Sequence, residues 1–163
     1  MKCLYINHSY YFSITMATVK VYEEHLRTGS RDEYIHTTLW TFLNQDISTI
    51  NANSTWTTGS DWIDVRKAEQ VQILCKFTGS SASQSGVVVF NFICLGNPNQ
   101  GYTPNVPSFS ITLAPNGTNT VIGDALINVL SYGYVKLFSI QNTDASYSIS
   151  NVNAQMYIKY KSG

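Results

Sequence analysis

The most informative run of residues in this chain is Val71-Gln72-Ile73-Leu74-Cys75-Lys76-Phe77, in which one set of alternate positions is entirely apolar. This period of two predicts a β-strand with one buried face, because successive side chains of a strand lie on opposite sides of its sheet. The run ends in Thr78-Gly79-Ser80-Ser81, a cluster of residues typical of turns. We therefore expect a half-buried strand that ends close to Phe77.

The same alternation recurs through most of the chain. Val87–Leu95 is apolar on both faces apart from Asn91, which favours a central position in a sheet. Further strands are predicted at Ile47–Trp56, Trp62–Val65, Phe109–Leu113, Thr120–Leu130, Tyr134–Ile140 and Ser148–Tyr160. About eight strands at such spacings predict an all-β fold, an antiparallel two-sheet β-sandwich of jelly-roll or Greek-key type. Periodicity alone leaves the strand order open.

Two turns predict local hairpins. One lies near Ala82 and would place Cys75 opposite Phe90, so that Cys75 and Cys94 do not face each other. We therefore expect these two cysteines to be buried free thiols. The other turn is Pro115-Asn116-Gly117, because Asn and Gly tolerate the positive φ angles of tight turns.

The N-terminal part differs in character, since fifteen of the twenty charged residues lie at or before Lys76. Residues 1–15 are interpreted as a leader, either a cleaved signal peptide or, as the preferred alternative, an upstream extension before a true start at Met16. Residues 16–46 are interpreted as an N-terminal arm or edge segment, with a short helix near Tyr34–Leu43. Residues 47–163 form the predicted sandwich.

Composition excludes several classes of protein. The formal net charge is zero and only 12% of the residues are charged, so a protein that binds nucleic acid through bulk phosphate neutralisation is not expected. No apolar run is long enough for a transmembrane helix. About a third of the chain is Ser, Thr, Asn or Gln, which makes the surface polar without making it charged.

Catalytic and metal-binding patterns are not evident. His8, His25 and His36 all precede the predicted sandwich, and no Gly-x-Ser-x-Gly sequence accompanies them. No Cys-x-x-Cys or recognised Cys/His spacing suggests zinc. We therefore expect a protein that is not an enzyme and has no cofactor and no metal.

A carbohydrate site is one functional hypothesis. Trp56 and Trp62 flank a turn, and flat aromatic rings are what the C–H face of a sugar stacks against. Asp61 and Asp64 would supply hydrogen-bond acceptors beside them. In this alternative the chain is a non-catalytic glycan-binding module or lectin, extracellular or at a cell surface, and the loop Asn97–Val106 joins the two tryptophans at the site.

Assembly is the favoured hypothesis. A β-protein whose surface is uncharged lacks the charge repulsion and edge lysines that normally oppose edge-to-edge pairing. We expect a homo-oligomer, with a trimer as one option, in which the N-terminal arm reaches a neighbouring subunit. The candidate contacts are the aromatic residues of that arm: Tyr22, Tyr34, Trp40 and Phe42.

Over residues 47–160 the chain resembles small β-sandwich virion proteins of tailed phages and related viruses. The resemblance rests on Trp56–Val65, Val71–Ile73, Val88–Phe92, Ser139–Asp144 and Ile149–Ala154. It implies a location in the virion, as a capsid decoration (cement) protein, a minor capsid protein or a tail appendage. It also implies partners among copies of this chain and other virion proteins, and no catalytic residues.

Overall fold

The computed structural model of this chain describes residues 11–14, 17–24, 35–57, 60–97, 104–127 and 132–161. All regular elements in these residues are β-strands, and no described segment is a helix that could cross a membrane. The strands are β1 (Tyr11–Ile14), β2 (Ala17–Glu24), β3 (Ile35–Thr41), β4 (Ile47–Ile50), β5 (Ser54–Thr57), β6 (Ile63–Asp64), β7 (Ala68–Gly79), β8 (Val88–Leu95), β9 (Phe109–Leu113), β10 (Thr120–Ile127), β11 (Tyr134–Asn142) and β12 (Ile149–Lys161).

The strands form two antiparallel sheets. The larger sheet has the order β1-β2-β3-β12-β7-β10, with β4 also paired to β12. The smaller sheet has the order β5-β11-β8-β9, with β6 also paired to β11. The predicted all-β, two-sheet sandwich is therefore confirmed.

Two strand positions are each filled by a pair of short strands. β3 and β4 lie one after the other along β12, and β5 and β6 lie one after the other along β11. When each pair is counted as one position and β1 and β2 are left out, eight positions remain, which run 1-8-3-6 in the larger sheet and 2-7-4-5 in the smaller sheet. This is the order of an eight-stranded jelly roll, which consists of two Greek keys.

The core lies between the two sheets and is built from the alternating residues of the central strands. Phe77 of β7, Phe90 and Phe92 of β8, Leu137 of β11 and Met156 of β12 are all fully buried. Residues between them on the same strands face outward, as the period of two requires. Side chains of this size contribute roughly 1.5–3 kcal/mol each on full burial, so these central strands supply most of the stability.

The larger sheet extends beyond the smaller one. The order places β10 over β9, β7 over β8, β12 over β11, and β3 with β4 over β5 with β6. β2 pairs with β3 and β1 with β2, so these two strands lie past the last position of the smaller sheet. Residues 35–41 of the predicted arm thus form a strand of the larger sheet. The division into leader, arm and sandwich stays a prediction.

The predicted hairpin near Ala82 is wrong. β7 pairs with β10 and β12, whereas β8 pairs with β9 and β11, so residues 80–87 cross from one sheet to the other. Cys75 lies opposite Gly123 and Ala154, not opposite Phe90. Both described cysteines, Cys75 and Cys94, are nevertheless buried and free, as the sequence predicted.

Two further predictions need correction. Pro115-Asn116-Gly117 does form a bend, with Gly117 at a φ of 60°, but it connects β9 of the smaller sheet to β10 of the larger and makes no hairpin. The predicted helix near Tyr34–Leu43 is a strand, β3, because β12 offers a pairing partner from the far end of the sequence. Tyr34 itself lies outside the described residues.

Candidate functional site

The two tryptophans of the predicted glycan site lie on different sides of the smaller sheet. Trp56 is paired with Ile140, which is fully buried, so its half-buried ring faces inward and packs against the core. Trp62 lies just before β6 and is half-buried beside Lys136. Lys136 alternates with the buried residues Val135 and Leu137 and therefore belongs to the outer face. The fold does not bring Trp56 and Trp62 together.

Trp62 belongs instead to a group that we call the cation–aromatic strip: Trp62, Asp64, Arg66, Tyr134 and Lys136. The Lys136 Nζ lies 5.7 Å from the centroid of the Trp62 ring, and the guanidinium carbon of Arg66 lies 5.0 Å from the centroid of the Tyr134 ring. Both distances are within the range of cation–π attraction. Tyr134 and Lys136 are two residues apart on β11, so the Arg66–Tyr134 pair and the Lys136–Trp62 pair lie on the same face of the sheet.

Asp64 is committed to Arg66. The Arg66 Nε donates to Asp64 Oδ1 at 3.0 Å, and the backbone N–H of Arg66 donates to the same oxygen, also at 3.0 Å. The side-chain hydrogen bond from Arg66 is the largest cause that holds the pKa of Asp64 below its usual value. Asp61 is exposed at the same edge. The strip therefore offers a Trp ring and an ammonium group, with one carboxylate already neutralised.

The other half of the smaller sheet's outer face carries no charge. Asn91 Nδ2 donates to Ser139 Oγ at 3.0 Å, and the Ser110 hydroxyl donates to Asn91 Oδ1 at 2.6 Å, which links three strands. We call this surface the uncharged polar face. By register its members are Thr55, Thr57, Val89, Asn91, Ser110, Thr112, Ser139 and Gln141.

Of the four candidate assembly contacts, Phe42 and Trp40 pack against the core, and Tyr34 lies outside the described residues. Phe42 is 6% exposed and its ring centroid lies 5.4 Å from that of Phe92, inside the core. Trp40 is half-buried against the same core. Tyr22 lies opposite Thr37 in the β2–β3 pairing. A contact with a neighbouring subunit through Phe42 would require its segment to leave the sandwich.

The clearest exposed apolar surface was missed by the sequence analysis. It lies on β10, where Ile122 and Leu126 are each 65% exposed on the outer face of the larger sheet. Asp124 lies between them and accepts a hydrogen bond from Gln72 Nε2 at 2.7 Å. β10 has a single described neighbour in its sheet, β7. The sequence did contain a signal for this surface, because both sets of alternate positions in Thr120–Ile127 include apolar residues. On an edge strand, one of these sets is left facing solvent.

The most tightly bonded buried polar group lies at one end of the sandwich. The Asp144 carboxylate, 3% exposed as a residue, accepts backbone N–H groups from Ser85, Gly86, Ser146 and Tyr147 at 2.8–2.9 Å. These bonds, that from Gly86 foremost, hold the pKa of Asp144 far below its usual value. Asn142, also buried, donates to the carbonyl oxygens of Asn51 and Tyr147. Residues 142–144 thus connect three loops by hydrogen bonds: the one that contains Asn51, the one that contains Gly86, and the one that contains Ser146.

The remaining large pKa shifts belong to the core thiols. Burial raises the pKa of Cys94 to about 11 and raises that of Cys75 further. Such shifts make a thiol less nucleophilic, because the thiolate is the reactive form. Within the described ranges no three His, Cys, Asp or Glu side chains come together as metal ligands would.

No protein-family model and no curated protein matches this sequence. Among solved structures, a chain of infectious bursal disease virus, Gx strain, is similar with 10% identity and a TM-score of 0.46, over 90% of this chain and 42% of that chain. The present chain thus spans about two fifths of the virus chain's length.

A xylan-binding domain from Paenibacillus barcinonensis, CBM22-1, is similar with 14% identity and a TM-score of 0.39, over 97% of this chain and 95% of that one. A chain of the Bacillus endospore appendages, described as disulfide-linked pili, has 11% identity and a TM-score of 0.32, over 80% of this chain and 88% of that one. These are likenesses of overall shape, so function has to be argued from this chain's own residues.

Proposed function

We propose that this protein is a non-enzymatic structural subunit that assembles through contacts between copies, and that its assembly is part of a viral particle. The observation that carries the proposal is the edge of the larger sheet at β10, which we call the open edge because β7 is its single neighbour among the described strands; Ile122 and Leu126 are each 65% exposed there. Exposed apolar side chains on such an edge strand favour association with another chain.

Two properties of the surface support assembly. The uncharged polar face presents hydroxyl and amide groups across four strands of the smaller sheet. A formal net charge of zero means that copies of the chain do not repel one another as a whole. A surface of this kind tolerates close neighbours better than the charged surface of a freely diffusing protein.

The non-enzymatic part of the proposal is supported by the causes of the pKa shifts. Strongly shifted groups often mark catalytic sites. Here Asp144 is shifted by backbone amides that hold loops together, and Cys75 and Cys94 are shifted by burial in the core. Each of these groups has a structural role.

The virion part rests on the sequence resemblance and on the architecture. Jelly rolls are used by viral capsid domains and by lectins, and a fold alone does not select between them. The open edge favours the first of these uses, because capsid proteins function by contact with copies and with other virion proteins. The protein would then act in the virion, without a cofactor.

Light scattering behind a sizing column tests the proposal. Chains that begin at Met1 and at Met16 are measured over a range of concentrations, against the 18.2 kDa of one copy. We expect a defined oligomer or a mass that rises with concentration. A mass of one copy at every concentration, for both chains, would contradict assembly between copies.

Glycan binding is the second candidate function, and the cation–aromatic strip is the observation that favours it. Trp62 and Lys136 place an aromatic ring beside an ammonium group on an outer face. A glycan array and titration calorimetry test it with Trp62→Ala, and Trp56→Phe is the control because that ring faces the core and Phe keeps an aromatic ring there. We expect Trp62→Ala alone to abolish binding at unchanged fold. Equal binding by wild type and Trp62→Ala, or no binding by wild type, would reject this candidate.

A further inference from the structure

The outer face beside the open edge has a defined arrangement of charge and apolar side chains. The pairing of β10 with β7 places Ile122 beside Lys76, Asp124 beside Leu74, and Leu126 beside Gln72. Ile122 and Leu126 therefore flank the acidic residue Asp124 on β10. The basic residue Lys76 lies beside Ile122 on the neighbouring strand β7. A partner that pairs with β10 has to match this pattern.

We propose that β10 pairs antiparallel with β10 of a second copy, about a two-fold axis at Gly123. This inference rests on the proposed assembly function and deepens it by naming the contact. In such a pairing the outer faces of the two larger sheets lie on the same side, so residues with even numbers lie opposite residues with even numbers. The numbers of two residues that lie opposite each other have the same sum all along an antiparallel pair. Only registers in which this sum is even are allowed here.

Strand length narrows the choice of register. β10 spans residues 120–127, so registers centred on Gly123 or on Asp124 each pair seven residues of both strands, more than any other allowed register. The register centred on Asp124 places the two Asp124 carboxylates directly opposite each other. Like charges at that position destabilise a strand pair.

Repulsion between the two Asp124 carboxylates thus rules out the alternative and selects the register centred on Gly123. It places Asp124 of each copy opposite Ile122 of the other copy, in the row that continues to Lys76. Lys76 adds no attraction across the contact, because its Nζ already binds Asp46 Oδ2 of its own chain at 2.7 Å. Leu126 of each copy lies opposite Thr120 of the other copy, so both exposed apolar side chains gain a cross-strand neighbour.

Sedimentation equilibrium of the full chain tests whether this edge is the contact. Seven paired residues form a small contact beside the roughly 1,200–2,000 Å² of a typical stable interface, so we expect a dimer that dissociates at micromolar concentration. Ile122→Glu places a carboxylate directly opposite Asp124 of the other copy and is expected to weaken dimerisation by about tenfold or more. Ala82→Glu, at an exposed position in the crossing between β7 and β8, is the matched control and is expected to have no effect.

Disulfide trapping tests the register. In a Cys3→Ser background that keeps Asp124, the double variant Thr120→Cys/Leu126→Cys brings cysteines directly opposite each other in the register centred on Gly123, and we expect a dimer on non-reducing gels. Ile122→Cys/Leu126→Cys brings cysteines directly opposite each other only in the register centred on Asp124. The native Cys75 and Cys94 are buried and do not compete.

The outcomes separate this inference from the proposed function. Efficient trapping by Ile122→Cys/Leu126→Cys instead of Thr120→Cys/Leu126→Cys overturns the register. An oligomeric wild type whose association is unaffected by Ile122→Glu, together with no trapping by either cysteine pair, overturns the β10 contact but leaves assembly standing. A wild type that remains at 18.2 kDa at all concentrations overturns both. Circular dichroism of each variant confirms that the sandwich is folded.

Discussion

The backbone N–H of Gly86 donates to Asp144 Oδ2 at 2.9 Å, and a Cβ atom added to Gly86 would lie 2.3 Å from the Asp144 Cα. The two residues are 58 positions apart in the sequence. Their contact joins the crossing between β7 and β8 to the turn between β11 and β12. It requires both a carboxylate on one side and the absence of a side chain on the other.

Gly86→Ala should be strongly destabilising, because the added methyl group meets backbone atoms that cannot move aside. We expect a loss of about 3 kcal/mol or more in the free energy of unfolding. Urea denaturation followed by circular dichroism measures it. Gly96→Ala is the matched control, since nothing lies within 4 Å of a Cβ atom added there. Similar losses for both variants would show that the close approach at Gly86 is not important.

Asp144→Asn should lower the thermal midpoint by roughly 5 °C or more, because the amide presents N–H groups to loops that need an acceptor. It should also change the response to acid. The folded-state pKa of Asp144 is depressed below the unfolded value of about 3.9, so its contribution to stability is full above that pH and is lost as the pH falls toward the folded pKa.

The measurement is the thermal midpoint between pH 7 and pH 2. Wild type should lose stability below about pH 4 more steeply than Asp144→Asn. The exposed Asp61→Asn is the control and should follow wild type. Parallel curves for wild type and Asp144→Asn would rule out the proposed role of the carboxylate.

Phe42→Ala should destabilise a single copy of the chain before it affects any contact between copies. Its ring is buried against Phe92, and removal of a buried Phe side chain costs about 3–5 kcal/mol. Tyr132→Ala, at a side chain that is 38% exposed, should stay within about 0.5 kcal/mol of wild type. Chemical denaturation at low protein concentration measures both. An unchanged stability for Phe42→Ala would favour an arm that leaves the sandwich.

The described thiols should be unreactive in the folded protein. Burial raises the pKa of Cys94 to about 11, so almost no thiolate forms at pH 8, and Cys75 is shifted further in the same direction. In a Cys3→Ser variant, a thiol-specific dye should label no cysteine under native conditions and two in urea. Rapid labelling of the native variant would mean that the core opens readily.

Local pattern was sufficient to find most strands of the sandwich, although it predicted a helix at β3, but it did not find their partners. Phe109–Leu113 was predicted with its observed bounds, because alternation depends on neighbouring residues only. Residues such as Asn116 and Gly117 specify a bend, yet a bend serves a hairpin and a crossing between sheets equally well. The pairing is decided by surfaces that meet only when both sheets form, so the two predicted hairpins were wrong.

The candidate sites show the same contrast between what is local in sequence, which was predicted, and what depends on strand pairing, which was not. The sequence indicated that Trp62 and Asp64 lie near each other, because they are two residues apart at a strand edge. It gave no sign that Lys136 completes the group, since Lys136 arrives from β11 through pairing across the sheet. It also placed Phe42 in an arm, because the partner of its segment, β12, lies more than 100 residues away.

The position of β12 has a consequence for how the protein is made. This strand is the last of the described strands in sequence order, yet it lies in the middle of the larger sheet and pairs with β3, β4 and β7. During synthesis the early strands therefore wait for their central neighbour until β12 itself has left the ribosome. Contacts so distant in sequence make folding slow, and the waiting strands have exposed edges. Yield in cells should therefore depend on protection of the unfinished chain.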